Sequence, residues 1–283
     1  MDKYEEVFSK FDLELSDEII SHEMNKILEK VEENNNKEVL GLIYSCIDHS
    51  SLNSNDSKES IWKFVDEINE SDALNPNISN VAAICVYPNF IQTVKETLTA
   101  DVKIASVAGG FPSSQTFTEV KIAEISLAIV DGADEIDVVL NCGEFLDNNF
   151  DEVSEEIQEM KDACSSAKLK VILETGLLKT ALNIKKASIL SIYSGADFIK
   201  TSTGKVYPGA TPEAAYVMCS TIKEYYQLHN KKIGIKVSGG IRTIKEALIY
   251  YTIVKEVLGT EWLNPEYFRI GASSLTNNIL KAL

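Results

Sequence analysis

From about residue 39 onward, short runs rich in valine and isoleucine alternate with longer segments whose apolar residues recur at helical spacing. The runs predict strands at Leu42–Cys46, Ala82–Val86, Lys103–Val107, Glu135–Leu140, Lys170–Glu174, Asp197–Lys200, Gly234–Val237 and Tyr267–Ile270. The segments between and after them predict helices at 59–70, 90–99, 116–131, 150–167, 179–194, 212–229, 243–258 and 274–282. Strands this continuously apolar are expected where both faces are buried. Eight strand–helix repeats over about 245 residues match the usual length of a (β/α)8 barrel. The expected fold is therefore α/β, a single TIM barrel over residues 39–283. A doubly wound open sheet is the competing architecture, but no GxGxxG follows the first strand.

Residues 1–38 read as a polar N-terminal helical arm. Leu15, Ile19, Ile20, Ile27, Leu28 and Val31 recur at roughly helical spacing, and the polar stretch EENNNKE ends the pattern. No stretch is long enough to serve as a linker between domains.

Composition narrows the partners. The chain of 283 residues is 45% hydrophobic, enough for a sizeable core, and carries 27 basic against 43 acidic residues, a net charge of −16. Nucleic acid or an anionic membrane would be repelled. A small phosphorylated ligand is compatible, because a local pocket can be basic within an acidic protein. Five cysteines (Cys46, Cys85, Cys142, Cys164, Cys219) form no CxxC pair, so neither a zinc site nor a disulfide framework is indicated. A reduced, cytoplasmic setting is the simple expectation. The acidic amino terminus has no apolar signal core, and no 18-residue apolar run follows. His22, His49 and His229 have no metal-binding spacing, so no metal is expected.

In barrels the chemistry collects at the carboxyl ends of the strands. Here those ends carry Asp48 and His49, Cys85, GGFPSS, Asp137, Glu174 and Thr175, Lys200, Lys236, and GASS at 271–274. Two lysines on adjacent strands are the informative pair. A lysine in the apolar run DFIK is also explained by snorkelling or by a structural ion pair. Two lysines at equal depth destabilise one another's charge. At a separation of ~6 Å and an effective dielectric of ~20, the repulsion is roughly 2.8 kcal/mol, equivalent to about two pKa units. A partly neutral amine can attack a carbonyl and form a Schiff base, whose iminium then acts as an electron sink. Asp137 shares a strand face with Glu135 and suits a proton relay; a counter-ion for one lysine is the alternative.

The run TSTGK is not a nucleotide P-loop. The preceding glycine, Gly195, lies nine residues before Gly204 instead of five, and Val206 follows Lys205. Short turns remain at Gly204-Lys205, at SGGIRT (Gly239, Gly240) and at GASS (Ser273, Ser274). The last two follow strands seven and eight, where barrels often bind phosphate.

The segments AAICVYP (82–88), GADEIDVVLN (132–141), KVILETG (170–176), GADFIKTSTGK (195–205), GIKVSGGIRT (234–243) and RIGASS (269–274) resemble the deoxyribose-phosphate aldolase family. They occur in the family's order and cover most of residues 40–283. The resemblance implies reversible, cofactor-independent cleavage of 2-deoxy-D-ribose 5-phosphate to acetaldehyde and D-glyceraldehyde 3-phosphate. By motif position it implies that Lys200 is the Schiff-base nucleophile. Lys236 would be the second lysine that lowers its pKa and assists proton transfer, and Asp137 the proton-relay aspartate supported by Asp48. Thr203, Gly204, Lys205, Gly239, Gly240, Ser273 and Ser274 would hold the sugar hydroxyls and the phosphate, and Cys85 would line the site. The loop VAGGFPSS departs from the family by an extra small residue. The final ILKAL carries no tyrosine of the kind some members use, which would leave proton transfer to Asp137 and water. The arm lies outside the resemblance and would cover the barrel bottom or join an oligomer interface, for instance of a homodimer. Another Schiff-base aldolase, transaldolase-like or acting on keto acids, is a second reading. A non-catalytic sugar-phosphate-binding barrel is a third.

Overall fold

A computed structural model describes residues 3–283. Eight parallel strands close into a barrel in chain order: β1 (Ile47–Ser50), β2 (Ala83–Val86), β3 (Lys103–Val107), β4 (Glu135–Val139), β5 (Lys168–Ile172), β6 (Phe198–Lys200), β7 (Gly234–Ser238) and β8 (Phe268–Ala272). A principal helix follows each strand: Lys58–Leu74, Ile91–Thr97, Thr118–Asp131, Phe150–Ala163, Ala181–Tyr193, Pro212–His229, Ile244–Val257 and Leu275–Leu280. The predicted (β/α)8 architecture and all eight helices are therefore present.

The helix starts are written locally. Ser57 with Ser60, and Thr243 with Glu246, form reciprocal capping boxes. Thr211 caps the helix that begins at Pro212, where the missing N–H of proline costs nothing. These starts fix where each loop above the barrel ends.

The first strand is displaced from its predicted position. Leu42–Cys46 lies in the last turn and cap of a helix, Lys37–Ser45, and β1 begins at Ile47. An apolar run this short does not distinguish a strand from a buried helix, and here Asn36 caps the helix by accepting from the Val39 amide. The correction brings Asp48 and His49 into the strand itself. Strands five and eight shift by one or two residues, so Gly271 and Ala272 belong to β8.

The arm runs along the outer flank of the barrel, not beneath it. Helix Lys3–Phe8 packs on Ala181–Tyr193, and helix Asp17–Glu29 packs on Pro212–His229 and Ile244–Val257. Ile20, Met24 and Ile27 form its buried stripe, continued by Val31, whereas Ile19 and Leu28 face solvent. Tyr4, Val7, Phe8 and Phe11 are also buried. At about 1.5–3 kcal/mol for each large apolar side chain, this burial holds the arm firmly in place.

Candidate functional site

Strand alternation drives a set of charged side chains into the barrel. On β4, Glu135 and Asp137 point to the same side, as their spacing predicts, and both are fully buried. Asp137 lies in register with Lys170 on β5, and Lys200 on β6 with Lys236 on β7. Asp48 on β1 and Arg269 on β8 complete the group.

One carboxylate joins three lysines. Asp137 Oδ2 accepts from Lys200 Nζ and from Lys236 Nζ, each at 2.7 Å, and Oδ1 accepts from Lys170 Nζ at 3.0 Å. Lys236 also pairs with Asp48, and Lys170 also pairs with Glu135 and, at 3.6 Å, with Asp48. Arg269 clamps Glu135 through Nη1 at 3.0 Å and Nη2 at 2.8 Å, and reaches Asp48 at 2.6 Å. The cluster thus contains four basic groups and three carboxylates, all at most 3% exposed.

That imbalance decides which group gives up a proton. A net charge among buried groups is costly, so the cation with the least support is the one whose pKa is pushed down. Lys200 meets one carboxylate; Lys236 and Arg269 meet two, and Lys170 three. Burial, reinforced by the charge of Lys236, lowers the Lys200 pKa despite the pull of Asp137. Burial would lower Lys170 and Lys236 as well, but their carboxylates outweigh it and both are raised. Burial alone would raise the Asp137 carboxyl; the three lysines instead hold it well below the usual carboxylate range. The arrangement sets an amine of lowered pKa beside a carboxylate held low and an ammonium held high, all within hydrogen-bonding reach of one another.

Above Lys200 opens a cavity of about 480 Å³. Thr203, Gly204, Lys205, Gly239, Gly240, Ser273 and Ser274 line it together with Lys200, so the predicted binding residues converge from three loops. Glycine is required where these loops meet. A Cβ on Gly209 would lie 2.1 Å from the Gly239 carbonyl oxygen, and one on Gly239 would lie 2.8 Å from Gly209 Cα. Gly204, Gly239 and Gly240 all have left-handed φ, at 71°, 92° and 88°. Lys205 donates to the Leu52 carbonyl across the mouth. Cys85, expected to line the site, instead lies fully buried in the barrel wall near the lysines and is not among the cavity-lining residues; burial raises its thiol pKa. Gly271 makes room for its β7 neighbours, since a Cβ there would lie 2.9 Å from Ser238 Cβ and 3.3 Å from Lys236 Cε.

The partners of several groups at the site are not legible in the sequence. Lys170 stood at the predicted start of its strand, so its inward direction was not legible. Arg269 opens the RIGASS segment, but nothing in that segment assigns it a partner. Glu135 shares the predicted face with Asp137, but no sequence pattern joins it to Lys170 and Arg269. Glu174 holds Thr203, accepting from its hydroxyl at 2.5 Å and its amide at 3.2 Å. His49 lines the cavity, stacked on Phe64 with ring centroids 4.1 Å apart, and burial lowers its pKa to about 4.

Comparison with known proteins identifies the family and the fold. A family model described as DeoC/LacD family aldolase matches residues 42–281. The human deoxyribose-phosphate aldolase is 42% identical over 244 residues, covering 82% of this chain and 77% of that protein. Its counterpart in Bos taurus is 41% identical over 246 residues, covering 83% and 77%. Among solved structures, one titled "QR15, an Aldolase" superposes with a TM-score of 0.69 at 32% identity, covering 85% of this chain and 95% of that one. A deoxyribose phosphate aldolase from Aeropyrum pernix, described as tetrameric, gives a TM-score of 0.69 at 26% identity, covering 90% and 96%.

Proposed function

Because the chain belongs to the DeoC/LacD family of aldolases, we propose that it cleaves 2-deoxy-D-ribose 5-phosphate reversibly to acetaldehyde and D-glyceraldehyde 3-phosphate through a Schiff base on Lys200. The observation that carries the mechanism is the charge count within the barrel. Of four buried basic groups set against three carboxylates, Lys200 has the fewest ionic partners, and it alone among them lines the cavity.

The neutral Lys200 amine attacks C1 of the open-chain sugar, and loss of water gives the iminium. A base then takes the proton from the C3 hydroxyl. The C2–C3 bonding electrons move into the iminium, D-glyceraldehyde 3-phosphate departs, and the enamine of acetaldehyde remains. Protonation at C2 and hydrolysis release acetaldehyde and restore the amine. Asp137 shuttles these protons through water, with the Lys236 ammonium holding it ionised between transfers. Lys236 and Lys170 keep their protons throughout, so the cycle draws on a single amine.

The loop backbones at Gly204, Gly239 and Gly240, with Ser273 and Ser274, receive the phosphate, and Lys205 supplies positive charge at the rim. Thr203, between the amine and these loops, faces the sugar hydroxyls. Five free, buried cysteines suit a reducing cytosol, and degradation of deoxynucleosides is the physiological role this reading favours. Among the described residues no helix is long and apolar enough to cross a membrane.

The test is acetaldehyde release from 2-deoxyribose 5-phosphate, compared with release from ketone-donor aldol substrates. The expected result is turnover of the deoxy sugar that is lost in Lys200→Met. A clear preference for a ketone donor would overturn the assignment.

A further inference from the structure

We propose that Glu174 is a positioning residue that makes the Thr203 hydroxyl an obligate hydrogen-bond acceptor, so that the site selects a substrate hydroxyl able to donate. The inference rests on the aldolase reading of the same cavity. Glu174 is 3% exposed and adopts a left-handed backbone, φ 55° and ψ 59°, which a residue with a Cβ seldom takes. The strands' ends hold it there. The Leu173 amide donates to the Lys200 carbonyl at 2.8 Å, and the Thr175 amide to the Thr201 carbonyl at 2.9 Å. This conformation turns the carboxylate onto Thr203, where Oε2 accepts from the hydroxyl at 2.5 Å and Oε1 from the amide at 3.2 Å.

The Thr203 hydroxyl has one proton and two lone pairs. Its proton goes to Glu174, and one lone pair accepts from the Lys205 amide at 3.2 Å. One lone pair remains. Thr203 lines the cavity three residues beyond Lys200 and immediately before Gly204. It therefore faces the middle of a substrate that spans the amine and the phosphate loops. The free lone pair accepts a hydrogen bond from a sugar hydroxyl and gains nothing from a methylene or a carbonyl oxygen. The hydroxyl that survives cleavage as the C2 hydroxyl of D-glyceraldehyde 3-phosphate is the one assigned to it.

The experiment runs the reaction in the synthetic direction with acetaldehyde and two competing acceptors, D-glyceraldehyde 3-phosphate and 3-phosphooxypropanal, which lacks that hydroxyl. The readout is the ratio of kcat/KM for the two acceptors. Wild type should favour the hydroxylated acceptor, and the ratio should fall roughly tenfold in Glu174→Gln, whose side chain cannot accept from both Thr203 donors. Thr203→Val should collapse it similarly, and Thr203→Ser, which keeps the hydroxyl, should preserve it. A purely structural role for Glu174 would slow both acceptors together and leave the ratio unchanged; that outcome, or an unchanged ratio in Thr203→Val, overturns the proposal. Borohydride trapping of acetaldehyde by the wild type separates the two readings. Without an adduct on Lys200 the aldolase mechanism itself fails, whereas an adduct with an unmoved ratio removes only the role of Glu174.

Discussion

Lys200 and Lys236 donate to the same oxygen, Oδ2 of Asp137, each at 2.7 Å. Two ammonium groups crowded on one buried oxygen repel strongly, and the bond to Asp48 helps to raise the Lys236 pKa while that of Lys200 is lowered.

Removing Lys236 should therefore move the acid–base behaviour of its neighbour. In Lys236→Leu, Asp137 answers one cation fewer, so the Lys200 pKa rises. The pH at which borohydride traps acetaldehyde on Lys200 should shift upward by about one to two units, the size of the Coulomb estimate for the pair. A slower reaction with an unshifted pH profile would mean that Lys236 acts in proton transfer and leaves the poise of Lys200 untouched.

Asp137→Asn should separate Schiff-base formation from turnover. Loss of the carboxylate adds to the positive excess of the cluster and lowers the Lys200 pKa further. Trapping of acetaldehyde near neutral pH should persist, while sugar cleavage falls by roughly 10²–10⁴ through loss of the proton relay. Equal losses in both assays would show that Asp137 mainly maintains the site's architecture.

The barrel, its helices and the lysine pair were legible because period-two and period-3.6 patterns and two motif-bearing strand ends are local properties. The ion network was not. Lys170 and Arg269 meet Asp48, Glu135 and Asp137 only after closure brings β1 and β8 together and β4 beside β5, so no short window contains the pairing. The misplaced first strand has a different cause: in VLGLIYSCI the apolar run satisfies either period, and the cap at Asn36 decides for helix. Glu174 was visible as a strand end, but its hold on Thr203 depends on a left-handed backbone that no residue pattern announces.

The close approach of the loops after β6 and β7 predicts a loss confined to phosphate recognition. Gly209→Ala would place a Cβ against the Gly239 carbonyl and push the two loops apart. KM for 2-deoxyribose 5-phosphate should rise about tenfold, the scale of one lost hydrogen bond to a charged group. Kinetics with unphosphorylated 2-deoxyribose should change little; an equal effect on both sugars would contradict the assignment of these loops to the phosphate.

His49 gives the fold a pH dependence of its own. Its folded pKa, about 4, lies below the unfolded value near 6.5, so the unfolded chain takes up the proton first. The associated stability is complete above pH ~6.5 and is lost as pH falls toward 4, amounting to about 3 kcal/mol. Urea denaturation at pH 7 and pH 4.5 should show a steeper loss for wild type than for His49→Phe. Parallel slopes would mean that His49 takes up its proton as readily in the folded protein as in the unfolded chain.

The central claim is that one of the buried amines is neutral and reactive, and that it is Lys200. The direct measurement is borohydride reduction in the presence of acetaldehyde at neutral pH, followed by peptide mass mapping. The prediction is a single ethyl adduct on Lys200. An adduct on Lys236 or Lys170 instead, or none at all, would contradict it.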